Sequence, residues 1–375
     1  MKIKIKMTIV YYILLLLFLF RMMIMQLSLN INIDLIVTIL TILFFVVAIV
    51  LYVYNIFRYH NYLLFLLFLP LVILIFYISA RNSKDSILLY SIIIIALSYK
   101  INFRSIVKTY FYFLFFWIIA AGILSAKGII NNKIFYFSYG VGKSWGFSHS
   151  NVLGVTILCL VLSWLYLFWD IKFRYILLVS IFGFAIEWMV AAARTSAIIM
   201  VLIPVTVLIV RITKKIHFKR IYILTLFVFL LCLIVSIILM NFYANGPAGV
   251  VTNDKVRFTS AYILSREYGI HLLGSHVILV GTLESALYHI PAVILDCAYL
   301  RLLIVYGIIP TILMTVFNMF IAYKAYINKN DAVLGILCLF CVLGFMEQYI
   351  LYAAYNFILL YLFSTDTINF LISES

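Results

Sequence analysis

Long apolar runs separated by short polar links repeat from one end of the chain to the other. Runs of roughly 18 or more apolar residues have the length of a transmembrane helix. About twelve spans are predicted, with the least distinct boundaries at 86–99 and after 347: residues 7–27, 33–56, 62–79, 86–99, 105–124, 151–169, 175–191, 195–212, 220–240, 297–323, 332–347 and 353–368. The pattern predicts one all-α, multi-pass membrane domain over residues 1–375.

The distribution of lysine and arginine between the links predicts the orientation. The short links 28–32, 80–85, 192–194 and 348–352 contain only Arg81, Lys84 and Arg194, whereas the alternate links carry most of the other cations. Positively charged short loops stay on the cytoplasmic side, so both termini are expected in the cytoplasm. No small-residue cleavage site follows the first apolar run, so we expect a retained helix and not a signal peptide.

Two longer polar segments then fall on the outer side. They are predicted external loops at residues 125–150 and 241–296, the second between helices 9 and 10. Asn241–Ile290 is the only long polar interruption of the sequence; it begins with turn residues and continues with a charged stretch. A membrane protein places its chemistry where the backbone leaves the helical ladder. We therefore expect the second loop to hold a phosphorylated, lipid-linked substrate.

The composition agrees with a membrane protein and excludes several functions. The 375 residues are 67% hydrophobic and 10% charged, whereas a soluble domain is about 25% charged. The net charge of +15 does not indicate nucleic-acid binding, because the cations lie in the links and no such motif is present. The chain has no phosphate-binding GxxxxGK(S/T) motif of an ATPase. Its five cysteines show no metal-ligand spacing and no disulfide framework, so no metal or cofactor is expected.

The first external loop ends in the sequence GKSWGFSHSN, residues 142–151. Its glycines let the backbone approach a ligand, and Lys143 supplies a charge for phosphate. Trp145 and Phe147 offer faces for a sugar or for the membrane interface. Asn151 is placed to cap helix six, whose N-terminus favours anions. The same residues also fit an aromatic-belt loop with a helix cap, and both interpretations stay open.

Two further groups lie around the seventh and eighth predicted helices. Glu187 and Arg194 are seven residues apart, which places them on one face of a helix. A carboxylate inside a membrane helix needs a partner or a wet cavity. Arg194 is then expected at the outer mouth as a phosphate ligand with Glu187 below it, unless the pair serves only to orient helix seven.

The long loop supplies the remaining candidates. If 255–272 is helical, Arg257 and Arg266 lie half a turn apart in phase, so one arginine enters the site and the other faces headgroups. We expect Arg257 in the site, since a guanidinium matches phosphate oxygens. His289 can transfer a proton near neutral pH. Asp296 can act as a base or bind a sugar hydroxyl, with Tyr299 one turn on; an interfacial histidine and a helix N-terminal charge are the structural alternatives.

Taken in order, these residues resemble a known family. The stretch 142–151 resembles the R-x-x-G-F-x-H-P-N motif of Wzy-type polymerases of O-antigen, capsule and exopolysaccharide, which are related to O-antigen ligases. Later matches follow the same order over roughly residues 130–360: Arg194-Thr195, Arg257, Tyr268-Gly269, Leu273-Gly274, Asp296, Tyr299, Tyr306-Gly307, Glu347 and Asn356-Phe357. Lys143 stands where the motif has Arg, and Ser150 where it has Pro.

The resemblance implies a GT-C-like glycosyltransferase that needs neither metal nor nucleotide. It would polymerise undecaprenyl-diphosphate-linked repeat units at the outer face of the bacterial cytoplasmic membrane, with a flippase and a chain-length regulator as partners. The implied diphosphate ligands are Arg194, Arg257, Lys143 and Arg266. The implied sugar-side residues are His149, Asn151, Trp145, Tyr299 and Glu187. His289 or Asp296 is the implied base.

Two other functions remain as alternatives. A ligase of the same superfamily would transfer finished glycan to a different acceptor and would share the donor chemistry. A flippase or transporter would not be an enzyme. Inverted repeats and broken helices with charges at mid-membrane are typical of transporters, whereas here the charges of the candidate site lie toward the predicted outer face, with only Arg21 and Glu187 deep in spans.

Overall fold

The computed structural model describes residues 2–29, 32–137, 140–244, 253–280 and 293–366, with the backbone alone for 2–6, 214–221, 244 and 253–256. The described chain is almost entirely helical. The helices are α1 Lys2–Ile24, α2 Asp34–Tyr59, α3 Leu69–Ser83, α4 Ile87–Leu97, α5 Phe103–Ala126, α6 Ser150–Leu167, α7 Phe173–Ile186, α8 Arg194–Ala244, α9 Asn253–Tyr268, α10 Ala298–Arg301, α11 Ile308–Ile327 and α12 Asp331–Leu343. Strands β1 Ile134–Phe137 and β2 Gly140–Lys143 form one short antiparallel hairpin.

Nine helical stretches within the described residues are long and apolar enough to cross a membrane. They include the two halves of α8, Arg194–Thr213 and Tyr222–Tyr243. Two shorter apolar helices, α4 and α12, are almost completely buried by their neighbours. Helices enclosed by protein do not meet the hydrocarbon, so their length need not match it. The chain is therefore an all-α, multi-pass membrane protein, and the count of twelve spans stays a prediction.

Helix α8 reverses direction between its two halves. A straight helix of 51 residues would be roughly 75 Å long. Yet the side chain of Thr195 lies beside Glu347, just beyond the end of α12. Ser236 contacts Cys297, and the next residue, Ala298, donates its N–H to Gly344 O. Thr195 and Ser236, which are 41 residues apart on α8, therefore both lie near the same end of α12. The two membrane-length parts of α8 flank residues 214–221, where the sequence predicts a short link.

The links between helices gather at two ends of the bundle. Ser28 N donates to Gly146 O and Ser148 N to Gln26 O, which joins the first link to residues 127–149. We call this end the loop end; it also carries residues 80–86, 191–194, 253–280 and 293–301. At the opposite end Arg104 donates to Leu167 O. The links predicted to be outer therefore lie together, as alternation of the spans requires.

The predicted span 297–323 is not one helix. Helix α10 continues into a π-helical turn, Leu302–Tyr306, and stops at Gly307, whose φ of 101° favours glycine. Gly307 and Gly274 meet backbone to backbone, since an added Cβ on Gly307 would lie 2.3 Å from the Gly274 nitrogen. The first free N–H groups of α11 then donate to carbonyl oxygens of His271 and Leu272. Residues of the long loop therefore cap the start of α11 at the break before Gly307.

The predicted twelfth helix, 353–368, is also corrected. Its described part, 353–366, contains one 3₁₀ turn, Phe357–Tyr361, and otherwise irregular backbone. The segment still runs from the loop end to the opposite end, where Thr365 N donates to Ile101 O. Irregular backbone is tolerated at membrane depth only when protein satisfies it. Here Ser91, Tyr110 and Ser98 hydrogen-bond the backbone of Ala353, Ala354 and Leu360 respectively.

Candidate functional site

An arginine–aspartate pair lies at the loop end where α9 meets the segment before α10. Helix α9 buries Ala261 and Leu264 against the bundle, and this orientation brings Arg257 toward the interior. Arg257 Nη1 donates to Met346 O at 2.9 Å, and its Nε lies 3.7 Å from Asp296 Oδ2. The two side chains are 20% and 30% exposed. The pair is loose and reachable from the loop end.

A second carboxylate lies beneath this pair. Glu347 is 4% exposed and interacts electrostatically with both Asp296 and Arg257. It follows the end of α12, where the chain enters the irregular segment described above. Burial raises the pKa of Asp296, while Arg257 and then Arg301 oppose that rise. One guanidinium therefore serves two carboxylates, and the local charge favours a proton on one of them.

A separate arginine–aspartate pair fixes the surrounding structure. Arg301 Nη2 lies 2.9 Å from Asp85 Oδ2, with the side chains 13% and 15% exposed. The pair joins α10 to the link between α3 and α4. Nothing in the sequence signals it, because the partners are 216 residues apart. Neither Arg301 nor Asp85 is among the site residues that the sequence predicts.

Glu187 and Arg194 do not share a continuous helix, contrary to the prediction. Helix α7 ends in a π-helical turn, Glu187–Ala191, and Ala192 adopts a left-handed φ of 49° before α8 begins at Arg194. The change of direction separates the two side chains. Glu187 is completely buried, whereas Arg194 is exposed at the loop end.

The hairpin of the first loop packs against this turn. An added Cβ on Gly142 would lie 2.7 Å from Ala191 O, so only glycine permits the close approach. The neighbouring residue Lys143 is exposed. Since Gly142 contacts Ala191 and Arg194 follows three residues later, Lys143 and Arg194 lie on adjoining segments. Both side chains are exposed at the loop end, and we refer to them together as the cationic rim; Arg194 precedes Thr195, whose side chain lies beside Glu347.

His149, and not Asn151, caps helix α6. Its Nδ1 accepts a hydrogen bond from Asn151 N at 3.1 Å, and its ring packs 4.2 Å from that of Phe135. Burial, followed by the charge of Lys133, lowers the pKa of His149, which keeps the imidazole neutral. The capping nitrogen is an acceptor, so His149 holds the loop. Trp145 is half-buried, with its backbone N–H bound to Asn132.

Three other candidates are not brought into this cluster. Tyr299 is fully buried, donates its hydroxyl to Cys341 O at 2.6 Å and packs on Phe229. It is a core residue and does not face a sugar. Arg266 is exposed on α9, away from the pair, as the helical phase predicts. His289 lies outside the described residues.

The arrangement combines an exposed cationic rim with a partly buried acidic floor. Cations at the mouth can bind the oxygens of an anionic group, and a carboxylate with a raised pKa can accept a proton. Among the described residues, no group of three or more His, Cys, Asp or Glu side chains is placed to hold a metal ion. The chain matches no family model, no curated protein and no solved structure.

Proposed function

We propose that this protein is a Wzy-type polymerase of lipid-linked oligosaccharide repeat units, acting at the outer face of a bacterial cytoplasmic membrane. The observation that carries the proposal is the position of Arg257 and Asp296 at the loop end. They are reachable there, with Glu347 beneath them and Lys143 and Arg194 on the adjoining rim. Cations that face developing negative charge stabilise a leaving diphosphate.

In the proposed reaction, the hydroxyl oxygen of one repeat unit attacks the anomeric carbon of another. The bond from that carbon to the lipid diphosphate breaks, and the bonding electrons leave with the diphosphate. The hydroxyl proton passes to a base, Asp296 or His289. Arg257, Arg194 and Lys143 would hold the diphosphate oxygens, and the lipid diphosphate itself supplies the free energy. The reaction therefore needs no nucleotide.

A flippase or transporter is the second candidate, and specific features favour it. Helix α7 breaks at Glu187–Ala191, α10 breaks before Gly307, and the segment after Glu347 crosses the bundle without regular helix. Discontinuous helices around buried polar groups are typical of transporters. The partly exposed charge cluster at one end favours the transferase, because a transporter needs its site near the middle of the membrane.

Complementation of cells that lack the gene tests both functions. Wild type, Arg257→Ala and the exposed control Arg266→Ala would be compared at equal membrane levels, and lipid-linked and surface glycans run on a gel. We expect a ladder with wild type and with Arg266→Ala, and at least about a hundredfold less polymer with Arg257→Ala, as when one transition-state donor is removed.

Each other outcome has a definite meaning. Single units trapped on the cytoplasmic side in the deletion strain would indicate a flippase, and full-length chains left on the lipid carrier would indicate a ligase. A normal ladder with Arg257→Ala would contradict the assigned role of this arginine.

A further inference from the structure

A second polar cluster lies deeper than the charge pair, where α6, the end of α7 and the start of α8 meet. At its centre Glu187 is 0% exposed, and among the described residues neither of its carboxylate oxygens has a hydrogen-bond partner. The hydroxyls of Ser196 and Ser150 are also fully buried and without such a partner. An unpaired buried carboxylate is costly in its ionised form, so the cluster needs a compensating ligand.

Gly154 on α6 and Gly142 on β2 create the space for these oxygens. An added Cβ on Gly154 would lie 3.3 Å from both Glu187 Oε2 and Ser196 Oγ. An added Cβ on Gly142 would lie 2.9 Å from Ser150 Oγ and 2.7 Å from Ala191 O, and Ser150 precedes Gly154 by one turn of α6. The Ser196 hydroxyl lies near the Glu187 carboxylate and acts on it electrostatically, but the two groups do not form a hydrogen bond of good geometry. Four oxygens, from one carboxylate, two hydroxyls and one carbonyl, therefore lie beside these two glycines.

The break after α7 places a backbone carbonyl at this cluster. The last carbonyls of a helix have no partner within the helix and carry partial negative charge. The π-helical turn and the left-handed Ala192 direct Ala191 O toward Gly142 and Ser150. Carbonyls at the ends of broken membrane helices are known ligands for Na⁺.

The charge of the cluster favours a cation. The charged side chain that acts on Glu187 is a second carboxylate, Glu347. No salt bridge within the described part of the chain involves Glu187. A single carboxylate at the centre with neutral hydroxyl and carbonyl oxygens suits a monovalent ion, since Ca²⁺ takes six to eight oxygens with several carboxylates.

We propose that Glu187, Ser196, Ser150 and the Ala191 carbonyl form a buried Na⁺ site. The ion neutralises the carboxylate and ties α6 to the broken junction between α7 and α8. The site is distinct from the proposed diphosphate site, whose cations are Arg257, Arg194 and Lys143.

The test uses the full-length protein purified in detergent. Its melting temperature would be followed by tryptophan fluorescence as choline chloride is replaced by NaCl at constant ionic strength. We expect Na⁺ to raise the melting temperature with a saturable dependence, as for any ligand that binds only the folded state. Glu187→Gln should lose this shift, whereas Glu267→Gln, which changes an exposed glutamate on α9, should keep it.

A milder variant covers the case in which Glu187→Gln fails to fold. Ser196→Ala removes one ligand and should raise the half-saturating Na⁺ concentration about tenfold or more, by analogy with loss of a supporting group at a metal site. Binding of ²²Na⁺ should give about one ion per chain, in keeping with the single carboxylate. Equal melting temperatures in Na⁺ and choline would overturn the proposal, as would a shift that depends on pH but not on Na⁺, which would indicate a proton. None of these readouts depends on polymerase activity.

Discussion

Two arginine–aspartate pairs lie at the same end of the molecule and differ in separation and in exposure. Arg301 and Asp85 are 2.9 Å apart and 13% and 15% exposed, and they join α10 to the link after α3. Arg257 and Asp296 are 3.7 Å apart and 20% and 30% exposed, and Arg257 divides its donors between Asp296 and a backbone carbonyl. The first pair is joined by a short hydrogen bond between mostly buried side chains, whereas the second is longer and more accessible to a ligand.

The difference shows how the same residue types serve structure or function. Removing one partner of a buried pair with good geometry strongly destabilises the folded protein, because the other charge stays buried without a partner. A looser, more exposed pair contributes little to stability because water screens it. Position, and not residue type, therefore assigns Arg301 to the fold and Arg257 to the proposed site.

The largest expected effect follows from breaking the pair of Arg301 and Asp85. Asp85→Ala leaves Arg301 buried without its carboxylate and should destabilise the protein by about 3–5 kcal/mol. The measurement is the melting temperature and the monodisperse fraction in detergent, with Glu267→Ala as the exposed control. A melting temperature equal to that of wild type would mean that Arg301 finds water or another partner, and the two pairs would then not differ.

Breaking the pair of Arg257 and Asp296 should affect stability much less. Arg257→Ala is expected to change the free energy of unfolding by about 1 kcal/mol or less, because the pair is loose and partly solvated. The melting temperature is compared with that of Arg301→Ala in the same detergent. A loss as large as for Arg301→Ala would show that Arg257 is structural, and the loss of polymer expected above would then have a different cause.

The smallest expected effect is a pH dependence that comes from Asp296. Its pKa is raised in the folded state, chiefly by burial, so the folded chain binds this proton more tightly than the unfolded chain. The free energy of unfolding should therefore decrease as the pH rises from about 3.9, the ordinary pKa of aspartate, through the raised pKa of the folded state.

Asp296→Asn should remove this part of the slope. The measurement is the melting temperature as a function of pH for wild type and Asp296→Asn, with Glu267→Gln as a control. A slope unchanged in Asp296→Asn would assign the titration to a different group. A slope of opposite sign would mean that Arg257 outweighs burial.

Several features could be predicted from the sequence because they depend on local patterns. Apolar runs determine where helices cross the membrane, and the helical phase of α9 separates Arg257 from Arg266. Ala261 and Leu264 follow Arg257 at helical spacing, and both are buried. These features need only the periodicity of the helix and the cost of exposing polar backbone to lipid.

Other features depend on partners that are distant in the sequence. The irregular segment after Glu347 is as apolar as a helix, and only the side chains of Ser91, Ser98 and Tyr110 make its irregular backbone tolerable. Likewise, the turn at Ala192 separates Glu187 from Arg194 although their spacing fits one helix.

The sequence by itself determined that the chain is an all-α, multi-pass membrane protein and which links lie together, because both follow from the length and order of apolar runs. Only the tertiary structure decided which charges meet. It paired Arg301 with Asp85, placed Glu347 beneath Asp296 and buried Glu187 among unpaired oxygens. Such contacts arise where broken helices bring remote segments together, and no local pattern encodes them.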